Sequence, residues 1–382
     1  MSNTLGVYDP IFYAQEALIW LKKNLGMAGR VHRGYDKMPQ EKGSVISIAS
    51  PSTFTASAVN TSTGGTTQNI TTGSVNITLD QWFEAKFALT EKELSYTQEK
   101  IIQDHIGPAA YALGDNIDQA LFALYKKIPW MAAAVPSDVA SFLAARKILF
   151  DNNVPLDGVN VHAAIGSTAE AALLALQAFT QYQGAGENAV RDMEAGSLGR
   201  KFGVEIFPSQ NVPTHVHGTM SDVAGVASGT AGDTTITITA LGANGNTMQI
   251  GDSFVIAGNT QRYVATTIGT VASPGTITGM GIYPALAATC SAAVVTISAS
   301  ATTSVQNLFF HKNAFALAMA PLTTLGNQLG ARIASVVDPV SGLTVRSRLF
   351  YDGDKNTVKV ALDVLYGVQV LNPNLACRAG VA

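Results

Sequence analysis

"SVNITLDQWFEAKFAL", residues 74–89, decides how the chain is read. Its odd positions run Val75, Ile77, Leu79, Gln81, Phe83, Ala85, Phe87 and Leu89, while Ser74, Asn76, Thr78, Asp80, Trp82, Glu84 and Lys86 fill the even ones. Period-two alternation over about sixteen residues predicts a long strand with one apolar face. Upstream, "SVISIASPSTFTA" (44–56) is rich in β-branched residues, and the turn-rich "NTSTGGTTQNITTG" (60–73) lies between the two runs. The segment 43–89 therefore reads as a two-stranded β-hairpin. From Gly43 to Leu79 it contains no Lys, Arg, Asp or Glu.

Length decides where such a hairpin belongs. Sixteen strand residues reach roughly 50 Å, close to the diameter, about 55 Å, of a body with this chain's length. An isolated hairpin is marginally stable in water, and residues 43–79 of this one carry no charge to face water with. The expectation is an extended loop ordered on a neighbouring subunit, with Val75, Ile77, Leu79, Phe83 and Phe87 on its contact face.

Composition points the same way. Charged residues make up 13% of the 382 and hydrophobic ones 47%, against ~25% charged in ordinary globular domains. No apolar run approaches the ~18 residues of a membrane span, and Asp9, Pro10 and Glu16 interrupt any signal-peptide pattern. A surface covered by other subunits explains the shortage of charge. The net charge of −3 argues against a dedicated nucleic-acid binder, which needs a basic excess. Cys290 and Cys377 supply neither a disulfide framework nor a metal quartet.

Around the hairpin the organisation is mixed α+β. "DPIFYAQEALIWLKKNLGMAG" predicts an N-terminal helix capped by Asp9 and ended by Gly26, followed by Arg30, Arg33 and Lys37. Residues 1–42 form this arm. A long amphipathic helix is expected over 90–128, opened by a Thr90–Glu93 capping box and kinked or divided at Pro108. Residues 129–216 alternate helices and strands, including a helix capped by Ser167 and Glu170 and a strand at Val204–Pro208. From 217 to 304 the only charged groups are Arg262, Asp222, Asp233 and Asp252. Short, closely spaced strand patterns there predict an inserted all-β barrel or sandwich. Residues 305–382 return to the body and end in a hairpin, with Val358, Val360, Leu362, Val364, Tyr366, Val368 and Val370 on one face and a turn at Asp352-Gly353.

Chemical motifs are weak. Asp352, Asp354, Asn356 and Asp363 faintly resemble a calcium loop but lack its Gly and its bidentate Glu, so a hairpin turn is expected. His215 and His217 are two candidate metal ligands without a third, so no metal site is expected. "GAGENA" lacks the context of a nucleotide loop. The sequons at Asn60, Asn69 and Asn76 matter only in a glycosylating pathway. No catalytic residue and no cofactor is expected, and the chain does not read as an enzyme.

This order of elements resembles the major capsid proteins of tailed double-stranded DNA bacteriophages, with the HK97-like fold, in the branch with an inserted β-domain. "GRKFGVEIFPSQNVP", "NLFFHKNAFALAMAPL" and "DPVSGLTVRSRLFYDGDKNTVKVALDVLYGVQVLNPNLACR" carry the resemblance, and "MQIGDSFVIAG" (248–258) is similar to part of the inserted domain. The resemblance implies an N-terminal arm, an extended loop, a long spine helix, and peripheral and axial domains. It also implies hexamers and pentamers closing an icosahedral shell around DNA, assembled in a bacterial host's cytoplasm, with scaffolding and portal proteins as partners and no membrane. Lys22, Lys23, Arg30 and Arg33 are the expected contact for an acidic scaffolding protein. Some members join a Lys on the extended loop to a neighbour's Asn. No Lys occurs between Lys42 and Lys86, so the shell is expected to be non-crosslinked. The alternatives are an encapsulin-like cellular compartment and a secreted β-rich surface protein.

Overall fold

The computed structural model describes residues 10–33, 45–50, 73–132, 134–176, 198–220, 225–241, 244–297, 303–324, 331–338 and 342–380, with isolated positions at 54, 56, 58–59, 67–70 and 196. Most of the hairpin tip and the Gly-rich segment 184–195 lie outside these. The chain divides into two compact units, one of residues 1–23, 33–113 and 316–371, the other of 24–32, 114–315 and 372–382.

In the first unit the alternating run 74–89 is two strands rather than one. Gly73–Thr78 pairs antiparallel with Val45–Ser50, placing Ile77 opposite Ile46 and Val75 opposite Ile48. Gln81–Thr90 instead pairs with the C-terminal strand Thr357–Val370, from Gln81 opposite Tyr366 to Thr90 opposite Thr357. The expectation that the whole run leaves its own body is corrected accordingly. The physical reason lies in the fourteen-residue strand Thr357–Val370. Thr344–Asp352 covers one of its edges, and an unpaired second edge would expose a row of backbone donors and acceptors. Gln81–Thr90 covers that edge.

Thr357–Val370 is also buried on both faces between Val360 and Gly367, where alternation predicted one. Ile46, Ile77 and Leu79 pack with Ala316, Ala318, Ala320 and Leu365. The backbone crosses so closely that a Cβ on Gly367 would lie 2.2 Å from the Thr78 carbonyl oxygen. Only glycine allows that approach.

The long helix spans Glu91–Phe122 and continues as a 3-10 turn, Ala123–Lys127. It runs unbroken through Pro108. The proline removes one backbone donor, but buried Ile106, Ala110, Leu113, Ile117 and Leu121 hold the flanking turns. Burial outweighs the lost bond.

In the second unit a six-stranded mixed sheet orders Met131–Ala132, Ala376–Ala379, Asn307–His311, Val161–Ile165, Val204–Pro208 and Arg200–Lys201. Phe142, Ala145 and Leu149 of the helix Val139–Asp151 are buried with Phe309, Val161 and Ile206. Asp138 caps that helix, accepting from the Ser141 amide at 2.7 Å in a reciprocal box. The helix Ser167–Leu174 begins one residue earlier than its sequence suggests. Gly166 is its cap residue, with no side-chain cap, and its amide donates to Asn307 Oδ1 at 2.8 Å.

The segment with few charges forms a closed six-stranded barrel, in the order Thr235–Thr239, Ile277–Tyr283, Arg262–Ala265, Ser253–Ile256, Cys290–Ile297, Gly225–Gly229. Its interior is filled by Ile236, Ile238, Phe254, Tyr263, Met280 and Ile297, among others. The chain enters along Thr214–Val216 and leaves along Thr303–Val305, and these two strands pair antiparallel as a stem. Among the described residues, no helix is long and apolar enough to cross a membrane.

Candidate functional site

The expected contact face of the loop makes contacts inside its own unit. Ile77 and Leu79 are fully buried. Phe83 stacks on Tyr366 with ring centroids 6.1 Å apart, and Phe87 meets His105 at 5.6 Å. Val75 is half-buried. Electrostatics fix the same strand. Asp363 is fully buried and accepts from Arg346 Nε at 3.0 Å and Arg348 Nη2 at 2.9 Å, and Arg348 also reaches Glu84. Asp363 is thus committed to two guanidinium groups, as its place in a hairpin strand requires. In the connection between the hairpin strands, Phe54, Val59 and Ile70 are 61%, 78% and 75% exposed.

Two basic residues of the arm, Lys22 and Arg30, have internal partners. Lys22 Nζ lies 2.6 Å from Asp338 Oδ2. Arg30 donates through Nε and Nη2 to Glu205 Oε1 at 3.1 and 2.8 Å, and its guanidinium stands 4.2 Å from the centre of the Phe207 ring. Lys23 belongs to the helix Pro10–Asn24, and Arg33 is half-buried. Glu205 also faces His162 Nδ1 at 3.3 Å. Burial alone would raise the Glu205 pKa, but Arg30, His162 and Arg200 together hold it below the usual value. Asp118 pins the turn after the arm helix, accepting from the amides of Gly26, Met27 and Ala28 at 2.7, 3.3 and 3.1 Å.

A second constellation lies at the stem of the barrel. The alternation that places His215 and His217 on one side of an extended segment is observed, and folding supplies the third group that the sequence lacked beside them. Asp252 Oδ1 lies 2.9 Å from His215 Nε2 and 3.0 Å from His217 Nδ1, and all three side chains are buried. Asp252 Oδ2 accepts from the Gly218 and Gln249 amides at 3.0 and 2.7 Å. The far nitrogen of each ring meets a hydroxyl: Tyr125 stands 2.8 Å from His215 Nδ1, and Ser304 Oγ 2.8 Å from His217 Nε2. Gln306 Nε2 donates to Ser304 Oγ at 2.6 Å.

A carboxylate only accepts, so each ring donates to Oδ1, and with neutral rings each hydroxyl donates to the other nitrogen. Burial works against the Asp252 charge, but the hydrogen bonds from His215, His217 and the two amides outweigh it and hold its pKa well below the usual range. Burial pushes the Tyr125 hydroxyl up to about 12. Arg378 is fully buried nearby and donates from Nη1 to the Gly251 carbonyl at 2.8 Å. Its Nε and Nη2 have no hydrogen-bond partner among the described residues.

Neither Asp252, Tyr125, Ser304 nor Arg378 carries a local sequence signal for this cluster. The one available clue was that Asp252 is among the few charges in the barrel segment.

No family model matches the chain, and no curated protein does. Among solved structures, that titled Mycobacterium phage Che8 superposes with a TM-score of 0.52 at 14% identity, over 93% of this chain and 90% of the other. The fold is HK97-like. Lesser likenesses are the capsid structure of the cyanophage P-SCSP1u, at TM-score 0.49 and 13% identity over 90% and 84% of the two chains, and the asymmetric unit of the bacteriophage PhiM1 mature capsid, at 0.48 and 12% over 89% and 82%. The mixed α+β class and the HK97-like fold expected from the sequence are those observed, with the closed barrel set between the two stem strands.

Proposed function

We propose that this chain is the major capsid protein of a tailed double-stranded DNA bacteriophage, self-assembling into hexamers and pentamers of an icosahedral head. The observation that carries the reading is the HK97-like fold along nearly the whole chain. Exposed Phe54, Val59 and Ile70 in a segment without charge support it, because apolar side chains this open are covered when subunits pack. In this reading residues 43–89 hold the extended loop, 90–128 the spine helix and 217–304 the inserted domain. The role is structural rather than catalytic, and the protein resides in the virion after assembly in the bacterial cytoplasm. It encloses DNA without specific recognition, and its net charge of −3 suits an inner wall that must not bind the genome tightly.

Scaffolding and portal proteins are the proposed assembly partners. A scaffold that approaches the arm through Lys22, Lys23, Arg30 and Arg33 competes with Asp338 and Glu205 for two of these cations. The test is negative-stain electron microscopy of the protein expressed alone and with its neighbouring genes. Closed shells or capsomer rings are expected, and a monomer under every condition would overturn the proposal. Charge reversal at Lys22 and Lys23 tests the scaffold contact separately. Unchanged scaffold incorporation at low salt would remove it.

A further inference from the structure

The geometry points to a divalent-cation site of the zinc class at the stem of the barrel, held by His215 Nε2, His217 Nδ1 and Asp252 Oδ1. These atoms lie within 4.8 Å of one another and belong to buried side chains. Two imidazoles and one carboxylate fill three of the four positions of a tetrahedral zinc centre. Nitrogen-rich donors of this kind suit zinc, cobalt or nickel better than calcium or magnesium, which take oxygen.

Spacing favours entry with little rearrangement. Ligands about 2.0–2.1 Å from zinc stand roughly 3.3 Å apart in a tetrahedron. The carboxylate oxygen is already 2.9 and 3.0 Å from the two nitrogens. A small opening of the cluster admits the ion.

The outer contacts are those that ligating groups need. A metal-bound imidazole carries its remaining proton on the other nitrogen and donates it to a fixed acceptor. Tyr125 and Ser304 stand at those nitrogens, and each hydroxyl turns from donor to acceptor when the ion binds. The protons on the rings only change sides, so their number is conserved. Asp252 Oδ2 keeps its two amide donors, which hold Oδ1 toward the rings.

The ligands come from different parts of the insertion. His215 lies on the entering stem strand and His217 just beyond it, while Asp252 directly precedes the barrel strand Ser253–Ile256. The ion therefore ties the barrel to its own stem, as structural zinc ties small domains. This inference is independent of the capsid reading.

The experiment uses the full chain, without a histidine tag, and its His217→Gln and Asp252→Asn variants. Each protein is stripped with EDTA, dialysed against zinc and then against buffer, and its metal is counted by inductively coupled plasma mass spectrometry. About one zinc per native chain is expected, with loss from both variants. Cobalt in its place should give the visible absorption of a tetrahedral centre, and zinc should raise the melting midpoint of the native protein alone. Zinc-free native protein, with no cobalt spectrum and no shift in melting, overturns the proposal and leaves a metal-free hydrogen-bonded cluster. Should a variant fail to fold, the stripped native chain alone decides through its metal count, spectrum and melting shift.

Discussion

Gly367→Ala tests how the loop hairpin is seated. The added Cβ would stand 2.2 Å from the Thr78 carbonyl oxygen, 2.9 Å from its carbon and 3.2 Å from the Ile77 side chain. Relief requires Thr78 to move by roughly 1 Å, and overpacking of this kind costs about 1–3 kcal/mol. The hairpin could escape the strain by lifting off. Exposing Ile77 and Leu79, both fully buried, costs about 1.5–3 kcal/mol each, or about 3–6 kcal/mol together. The strain is smaller than the burial, so the hairpin stays down but sits less firmly. Amide exchange at residues 75–78 should accelerate by about 5- to 150-fold, the equivalent of that strain at 1.4 kcal/mol per decade, and shell assembly should slow. Gly353→Ala is the control, since its Cβ meets only the Tyr351 ring, at 3.9 Å, and it should change neither. Native protection at 75–78 in Gly367→Ala would refute the account of how the hairpin is held.

Boiled, reduced particles should run as a single monomer band on a denaturing gel, because the loop carries no Lys between Lys42 and Lys86 and Lys86 lies in a strand paired within its own unit; a ladder of covalent oligomers would contradict this. Burial, followed by the charges of Arg30 and Arg200, lowers the His162 pKa below 6.5 against the pull of Glu205, and burial does the same for His32 and His311. Between the folded value and 6.5 the unfolded chain binds more protons, so stability is complete above about pH 6.5 and falls as the pH drops through that window. Melting midpoints measured from about pH 7.5 to about pH 5 should show the decline, with a shallower slope in His162→Gln. Cys290 and Cys377 are buried, and burial pushes the Cys377 thiol up to about 12. A thiol-specific reagent at about pH 8 should therefore label neither until the protein is denatured; rapid labelling of the native chain would contradict the burial.

The elements themselves were written locally. Alternation from Val75 to Leu89 marked strand, the recurrence of Ile106, Ala110, Leu113, Ile117 and Leu121 marked the long helix, and sparse charge with short β-branched runs marked the barrel. Each is a pattern that neighbouring side chains impose on their own backbone. The partners of those elements were not legible. The same alternating run serves two sheets because the strand Thr357–Val370, about 270 residues later, offers it an edge. The dense pairing of Thr357–Val370 also buries Asp363, which the sequence placed in that strand without naming the arginines that pair with it. His215 and His217 were visible as a pair, but Asp252 joins them only when the barrel closes, and Tyr125 and Ser304 only when the stem strands pair. Sequence determines which face of an element is apolar, because that depends on residues two, three or four apart. Which edge, carboxylate or hydroxyl meets that face is decided by tertiary structure, where the need to pair every buried polar group selects among distant partners.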